Sequence, residues 1–256
     1  MDNLLDLSFE EIKKFLLEMG EKPFRVKQLF QGLYEGKTLE EITNLPKTLK
    51  LCLKEKFEDA PLMVHTKLVG KDGTTKFVYK LADGNLIEGV LMSYKYGNTL
   101  CVSTQVGCRM GCKFCASTLG GLVRNLTCGE ILAQVVVVNK IIGGDLKDRK
   151  ITNIVLMGSG EPLDNYDNVV KFLKLVSAPE GINISQRNIS LSTCGLVDRI
   201  EQLAKEGLGI TLTISLHAPN DEIRKQTMPI ANRYSIKELI DATKQYFNTT
   251  KRRIFF

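Results

Sequence analysis

Residues 188–217, NISLSTCGLVDRIEQLAKEGLGITLTISLH, decide the fold class. They open with seven residues of strand character, NISLSTC, pass through a helix-spaced segment at 196–206, and return to strand character in ITLTISL (210–216). Two strands joined by a helix in this way lie parallel, because a crossover of that length brings the second strand back beside the first in the same direction. The unit repeats outward on both sides. TLCVS (99–103) and ITNIVLM (151–157) read as strands, helices are expected at about 127–142, 165–176 and 235–247, and a fifth strand begins within 251–256. The run 135–138, VVVV, has strand propensity, but the Thr127/Glu130 capping pair and the strands on either side favour helix there. The expectation is an α/β protein whose residues 99–256 form a partial parallel β/α barrel.

N-terminal to that repeat the period changes. LMVHTKLV, TTKFVYKLA and NLIEGVLMS alternate as strands do, and Asp72-Gly73 and Asp83-Gly84 between them are tight-hairpin signals, so 61–98 reads as an antiparallel strand meander. Residues 1–60 read as a small helical accessory domain. Ser8 with Glu11 and Thr38 with Glu41 are capping-box pairs, Phe9, Ile12, Leu16 and Met19 recur at helical spacing, and a further helix is expected from Pro46 through Leu49, Leu53 and Phe57.

The composition, 43% hydrophobic and 25% charged, excludes disordered and collagen-like chains. No apolar run approaches the roughly 18 residues of a membrane span, and the acidic, amphipathic MDNLLDLSFEEIKKFL is unlike a signal peptide, so a cytoplasmic protein is expected. The net charge of +6 is unevenly spread: 1–60 carries 10 basic and 12 acidic groups, whereas 61–128 carries 8 and 3. That excess is compatible with a polyanionic partner and equally with an ordinary solvated surface.

Each strand of the repeat is followed by a segment rich in Gly, Cys, Ser or His: GCRMGCKFCAS, GSGEPLDN, STCG and SLHA. In a parallel barrel these loops converge at the C-terminal mouth, so four unusual loops suggest one site. Seven cysteines, three of them within eight residues, point to thiolate chemistry rather than a disulfide framework. Cys108, Cys112 and Cys115 form C-x3-C-x2-C beside Gly107 and Gly111. Three thiolates are one fewer than a closed zinc or iron–sulfur site uses, which suggests a metal centre with one open position. A zinc site completed by Cys101, Cys128 or a histidine is the alternative.

This cysteine pattern, with Phe114 just before its last cysteine and after the first strand of a β/α repeat, resembles the signature of radical S-adenosylmethionine (SAM) enzymes. The segments CVSTQVGCRMGCKFCAS, MGSGEPLDNYDNV, LSTCG, SLHAPNDEIRKQTMPI and LIEGVL further resemble, in order and spacing, the RlmN branch of the RlmN/Cfr family of RNA adenine methyltransferases. The resemblance implies that Cys108, Cys112 and Cys115 hold three irons of a [4Fe-4S] cluster whose fourth iron chelates SAM. It implies that Gly160 and Glu161 meet the SAM amino group, with Ser192 and the run Ser215, Leu216 and His217 as further SAM contacts. Ser159 stands where the family usually has Met. Cys101 corresponds to a redox-active cysteine that forms a transient disulfide with a methyl-carrying cysteine, and Glu88 to the proton acceptor. The implied reaction is methylation of carbon 2 of adenine in 23S rRNA (adenosine 2503) and in tRNA (adenosine 37), through a methylcysteine intermediate. An electron donor such as flavodoxin or ferredoxin is implied, with residues 1–60 binding RNA, no membrane partner and a monomeric state.

Each assignment has an ordinary counterpart: a strand-end histidine for His217, a small buried hydrophobe for Cys101, a surface carboxylate for Glu88, a helix-start signal for Glu161-Pro162. His65, Cys52, Cys128 and Cys194 match no family role. Two further readings stay open, a Cfr-type carbon-8 enzyme and a zinc-dependent RNA-binding module without turnover. The family places its methyl-carrying cysteine in a C-terminal region, and two more β/α units of roughly 30 residues each would complete a six-unit barrel. The barrel is therefore expected to be truncated in this chain, which alone is expected not to methylate RNA.

Overall fold

The computed structural model describes residues 2–58, 60 and 62–256. The chain opens with a two-residue strand, β1 (Asp2–Asn3), that pairs in parallel with β2 (Phe57–Glu58) and so closes the helical N-terminal part into a loop. Between them lie α1 (Phe9–Glu18), α2 (Pro23–Tyr34) and α3 (Lys47–Lys56). The Ser8/Glu11 capping box forms in full and starts α1. The Thr38/Glu41 pair also forms, with Thr38 N–H donating to Glu41 at 2.9 Å, yet no helix follows it. Pro46 lies a few residues beyond, and a residue preceding proline is biased away from helical backbone, so a single turn ends there.

β3 (Leu62–Val69), β4 (Thr75–Leu81) and β5 (Leu86–Tyr94) form the antiparallel meander, turning at Gly73 and Gly84 with positive φ. It is continuous with the parallel strands. β5 pairs antiparallel with β6 (Gly97–Cys101), and β6 pairs in parallel with β9 (Ile151–Leu156). β10 (Ile189–Thr193), β11 (Thr211–Ile214) and β12 (Ile254–Phe255) follow in parallel, giving one eight-stranded sheet. A small hairpin, β7 (Gln105–Gly107) with β8 (Leu122–Asn125), brackets the cysteine loop. The crossovers are α4 (Cys128–Ile141), α5 (Tyr166–Val176), α6 (Val197–Ala204) and, after β11, the short α7 (Asp221–Thr227) followed by α8 (Ile236–Thr250). Val135, Val136 and Val138 lie buried within α4, whose Thr127/Glu130 capping box is complete.

The period-two pattern of the strands sorts the two faces. Leu100, Ile154, Leu156, Leu191, Leu212 and Ile214 are buried in the hydrophobic core. The alternate positions, Thr99, Asn153, Val155, Ser190 and Thr211, line an open cavity on the other face. Ser190 and Thr211 stand at the starts of β10 and β11, so this opening lies toward the N-terminal side of the strands, while Met157, just past the far end of β9, also lines the separate cavity where the unusual loops meet.

Candidate active site

The cysteine loop is shaped by its hairpin. Cys108 N–H donates to the Gly121 carbonyl at 3.0 Å and Cys115 N–H to the Cys112 carbonyl at 3.0 Å, while Lys113 N–H reaches the carbonyl of Thr227, the last residue of α7, at 2.9 Å. Gly107 has φ +75°, and a Cβ there would stand 2.0 Å from the Gly121 carbonyl oxygen, so only glycine lets the two arms approach. Cys108, Cys112 and Cys115 line one cavity of about 220 Å³ together with Phe114, Gly160, Glu161, Ser192, Cys194 and Ser215. Residues from the ends of β6, β9, β10 and β11 are thus brought together as the loop composition suggested.

Burial pushes the Cys108 thiol up to about 11 and raises Cys112 as well. Among the described residues no group of three His, Cys, Asp or Glu side chains converges closely enough to hold a single metal ion. Thiolates that each hold a different iron of a polynuclear cluster need no such convergence. Of the fourth zinc ligands considered from the sequence, Cys128 is engaged elsewhere, whereas His217 lies beside the cysteine loop. The Cys128 thiol donates to Asp6 Oδ1 at 3.2 Å, and the exposed His217 packs its ring edge-on against Phe114, centroids 4.9 Å apart.

Glu161 is 4% exposed. Its Oε1 accepts from Leu163 N–H at 3.1 Å and its Oε2 from Cys194 N–H at 2.8 Å. Desolvation raises its pKa, with the hydrogen bonds opposing, and among the described residues it has no ion-pair partner. The Thr193 hydroxyl and the Cys194 thiol also hydrogen-bond it, but a buried carboxylate without a cation is costly, so the cavity suits a cationic group beside Glu161. Gly160, at φ +107°, is pressed against Gln105, where an added Cβ would lie 2.6 Å from Gln105 Cβ. Ser192 and Ser215 face each other with hydroxyls 3.4 Å apart, and Leu216 packs on the core beside them. Three thiols, a buried carboxylate and facing hydroxyls around one cavity fit a thiolate-bound cluster with an amino-acid-like ligand.

Neither Cys101 nor Glu88 lines this cavity. Cys101 opposes Val90 and Val155 across the sheet; its thiol is raised by burial and meets the Met157 backbone N–H, and Met157 lines the cavity. The disulfide expected at Cys101 is not supported: all seven cysteines are free, and neither cross-strand neighbour of Cys101 is a cysteine. Glu88, two residues before Val90 on the same face of β5, has a 57% exposed side chain and pairs with Lys76 at 2.6 Å.

Several organising residues escaped the sequence reading. Gln105 Oε1 accepts from Glu161 N–H at 2.8 Å, and its Nε2 donates to Asn125 and Asp164 at 2.8 and 2.9 Å. Asp164 in turn receives Arg109 in a two-pronged pair at 2.6 and 2.9 Å, tying the cysteine loop to the Gly-Glu-Pro loop. Arg224 is fully buried behind the cavity. Gln105, Arg109 and Arg224 all fall inside quoted motif segments, and for the two arginines an internal charged residue in such a segment was the available signal.

Residues 102–256 match the family model of the radical SAM superfamily, and residues 2–58 that of the ribosomal RNA large subunit methyltransferase N-terminal domain. A probable dual-specificity RNA methyltransferase RlmN from Clostridium tetani is 55% identical over 258 residues, spanning 100% of this chain and 72% of the relative. The protein of the same description from Clostridium novyi is 53% identical over 259 residues, spanning 100% and 74%. The crystal structure of a radical SAM methyltransferase from Sphaerobacter thermophilus superposes with a TM-score of 0.93 at 40% identity, covering 99% of this chain and 75% of that one.

Proposed function

Because the chain belongs to the RlmN family of radical SAM RNA methyltransferases, we propose that its reaction is methylation of adenine carbon 2, at adenosine 2503 of 23S rRNA and adenosine 37 of tRNA. The observation that carries this reading is the single cavity shared by Cys108, Cys112, Cys115 and the buried Glu161. The three thiolates would hold a [4Fe-4S] cluster. Gly160, Glu161, Ser192, Ser215, Leu216 and His217 would bind SAM. When bound, that pair supplies one-electron chemistry, which a ring carbon neither nucleophilic nor acidic requires.

The protein's own residues orient and exclude. Glu161, fastened by two backbone N–H groups, presents negative charge to the SAM ammonium, and Gly160 lets the backbone come close. Glu88 takes the role of proton acceptor, with its carboxylate paired to Lys76 at 2.6 Å. Burial keeps Cys101 a protonated thiol at rest. Residues 1–60 serve as an accessory RNA-binding domain beside the 61–98 meander and the 99–256 barrel. A flavodoxin or ferredoxin as electron donor, a monomeric state and a cytoplasmic location belong to the same reading; no described helix is long and apolar enough to cross a membrane.

Disrupting the encoding gene in its host and digesting the 23S rRNA and tRNA for mass spectrometry tests this. Loss of 2-methyladenosine is expected. Loss of 8-methyladenosine instead would favour a carbon-8 enzyme, and unchanged methylation of both RNAs would contradict the reading.

A further inference from the structure

Arg224, in the middle of α7, has 0% exposure and no part in the chemistry above. Among the described ion pairs it has none. Its Nη2 donates to the Cys194 carbonyl at 2.6 Å and the Ser215 carbonyl at 3.5 Å, and its Nε to the Leu216 carbonyl at 3.2 Å. Nη1 is buried without a hydrogen-bond partner. The carboxylate of Asp221, one turn earlier, accepts from Ile236 N–H at 2.7 Å. An isolated buried cation is strongly disfavoured, and such groups are retained where a nearby negative charge answers them.

Asp221 answers part of that charge, and the wall of the cysteine cavity, to which Arg224 is bonded through the Cys194 carbonyl, is the other place to look. Cys194 and Cys112 line the cavity, and the groups that act electrostatically on Arg224 are Cys194, Asp221 and Cys112. The carbonyls it holds belong to the two loops that follow β10 and β11, the same loops that place Cys194 against Glu161 and Ser215 against Ser192. We propose that Arg224 is a positioning residue for the cluster site: it clasps both loops from behind the cavity wall and supplies the fixed positive charge that balances the thiolates. This rests on the cluster reading given above. A cluster's potential follows the net charge and hydrogen bonding around it. Reduction adds one negative charge, so a buried cation nearby favours the reduced form. A lysine keeps the charge but lacks the planar fork that reaches three carbonyls at once.

The test compares wild type, Arg224→Lys and Arg224→Gln after anaerobic cluster loading. Iron content, potential by redox titration with spin-resonance detection, and SAM affinity by calorimetry are measured. All three are expected to load iron. Arg224→Gln should be about tenfold harder to reduce, which is about 59 mV for a one-electron couple; Arg224→Lys should keep the wild-type potential and bind SAM about tenfold more weakly. A fully loaded Arg224→Gln protein with the wild-type potential overturns the proposal. If Arg224→Gln does not fold, Arg224→Lys decides, and unchanged SAM affinity or a lowered potential there overturns it. Failure of the wild type itself to load iron would instead remove the cluster reading beneath it.

Discussion

Glu161 and Arg224, a buried anion and a buried cation, hold one residue from two sides. Cys194 donates its N–H to Glu161 Oε2 at 2.8 Å, and its carbonyl accepts from Arg224 Nη2 at 2.6 Å. The two charges are joined through backbone and not as an ion pair. The carboxylate therefore stays at the cavity, where a ligand's cation can meet it, while the guanidinium braces the wall behind.

Glu161→Ala is expected to weaken SAM binding while iron content stays near normal. Losing a charge-assisted contact costs about 1.5–3 kcal/mol, roughly 10- to 150-fold in affinity. Calorimetry at fixed pH reads this, and an unchanged affinity would remove Glu161 from the SAM site. Because the same carboxylate holds the Leu163 and Cys194 N–H groups, the variant should also unfold at lower temperature.

The raised pKa of Glu161 gives a pH dependence with a definite sign. The folded protein binds this proton more readily than the unfolded chain, so as pH rises from about 4.5 through the raised folded value the ligand-free protein loses stability. An ammonium beside Glu161 favours the ionised form. SAM should bind more tightly as pH rises across that window and should release a proton. Calorimetry in buffers of different ionisation enthalpy measures the release, and proton uptake or none would show that the ammonium does not sit there.

Gly160→Ala should destabilise the protein by on the order of 2–3 kcal/mol, since a side chain at φ +107° is strained and its Cβ would press on Gln105. Denaturant titration checks it. A loss below about 0.5 kcal/mol, the range of ordinary surface changes, would mean that this loop can relax.

Much of the architecture was legible because alternation and helical spacing reflect burial directly. The strand–helix–strand pattern of 188–217 and the Asp-Gly turns of the meander both correspond to observed elements. The β7–β8 hairpin was not legible, since strands of three and four residues carry too little pattern to stand out. The helix expected after Thr38 failed because a correct local capping pair was overridden by Pro46 downstream. In the site, the cysteines and Glu161 announced themselves by spacing. Gln105 and Arg224 did not, because their roles depend on carbonyls and side chains 8 to 59 residues away along the chain.

A further prediction concerns Asp6, which reaches from the helical N-terminal part to the start of α4. Its Oδ1 accepts from Gly129 N–H at 2.6 Å and from the Cys128 thiol at 3.2 Å. A Cβ on Gly129 would fall 2.8 Å from Asp6 N. Asp6→Ala should cost about 1–2 kcal/mol, the size of a lost helix-terminus contact, and Gly129→Ala at least as much. Thermal unfolding of both variants is the measurement, and wild-type midpoints would show that this junction contributes little.

The central claim, that Cys108, Cys112 and Cys115 together hold an iron–sulfur cluster, is tested most directly by iron and sulfide analysis of anaerobically purified protein. The wild type should be brown, with about four irons and four sulfides per chain as a [4Fe-4S] site requires, and the variant with all three cysteines changed to alanine should be colourless and essentially iron-free. Iron retained by the triple variant, or stoichiometric zinc in the wild type, would contradict it.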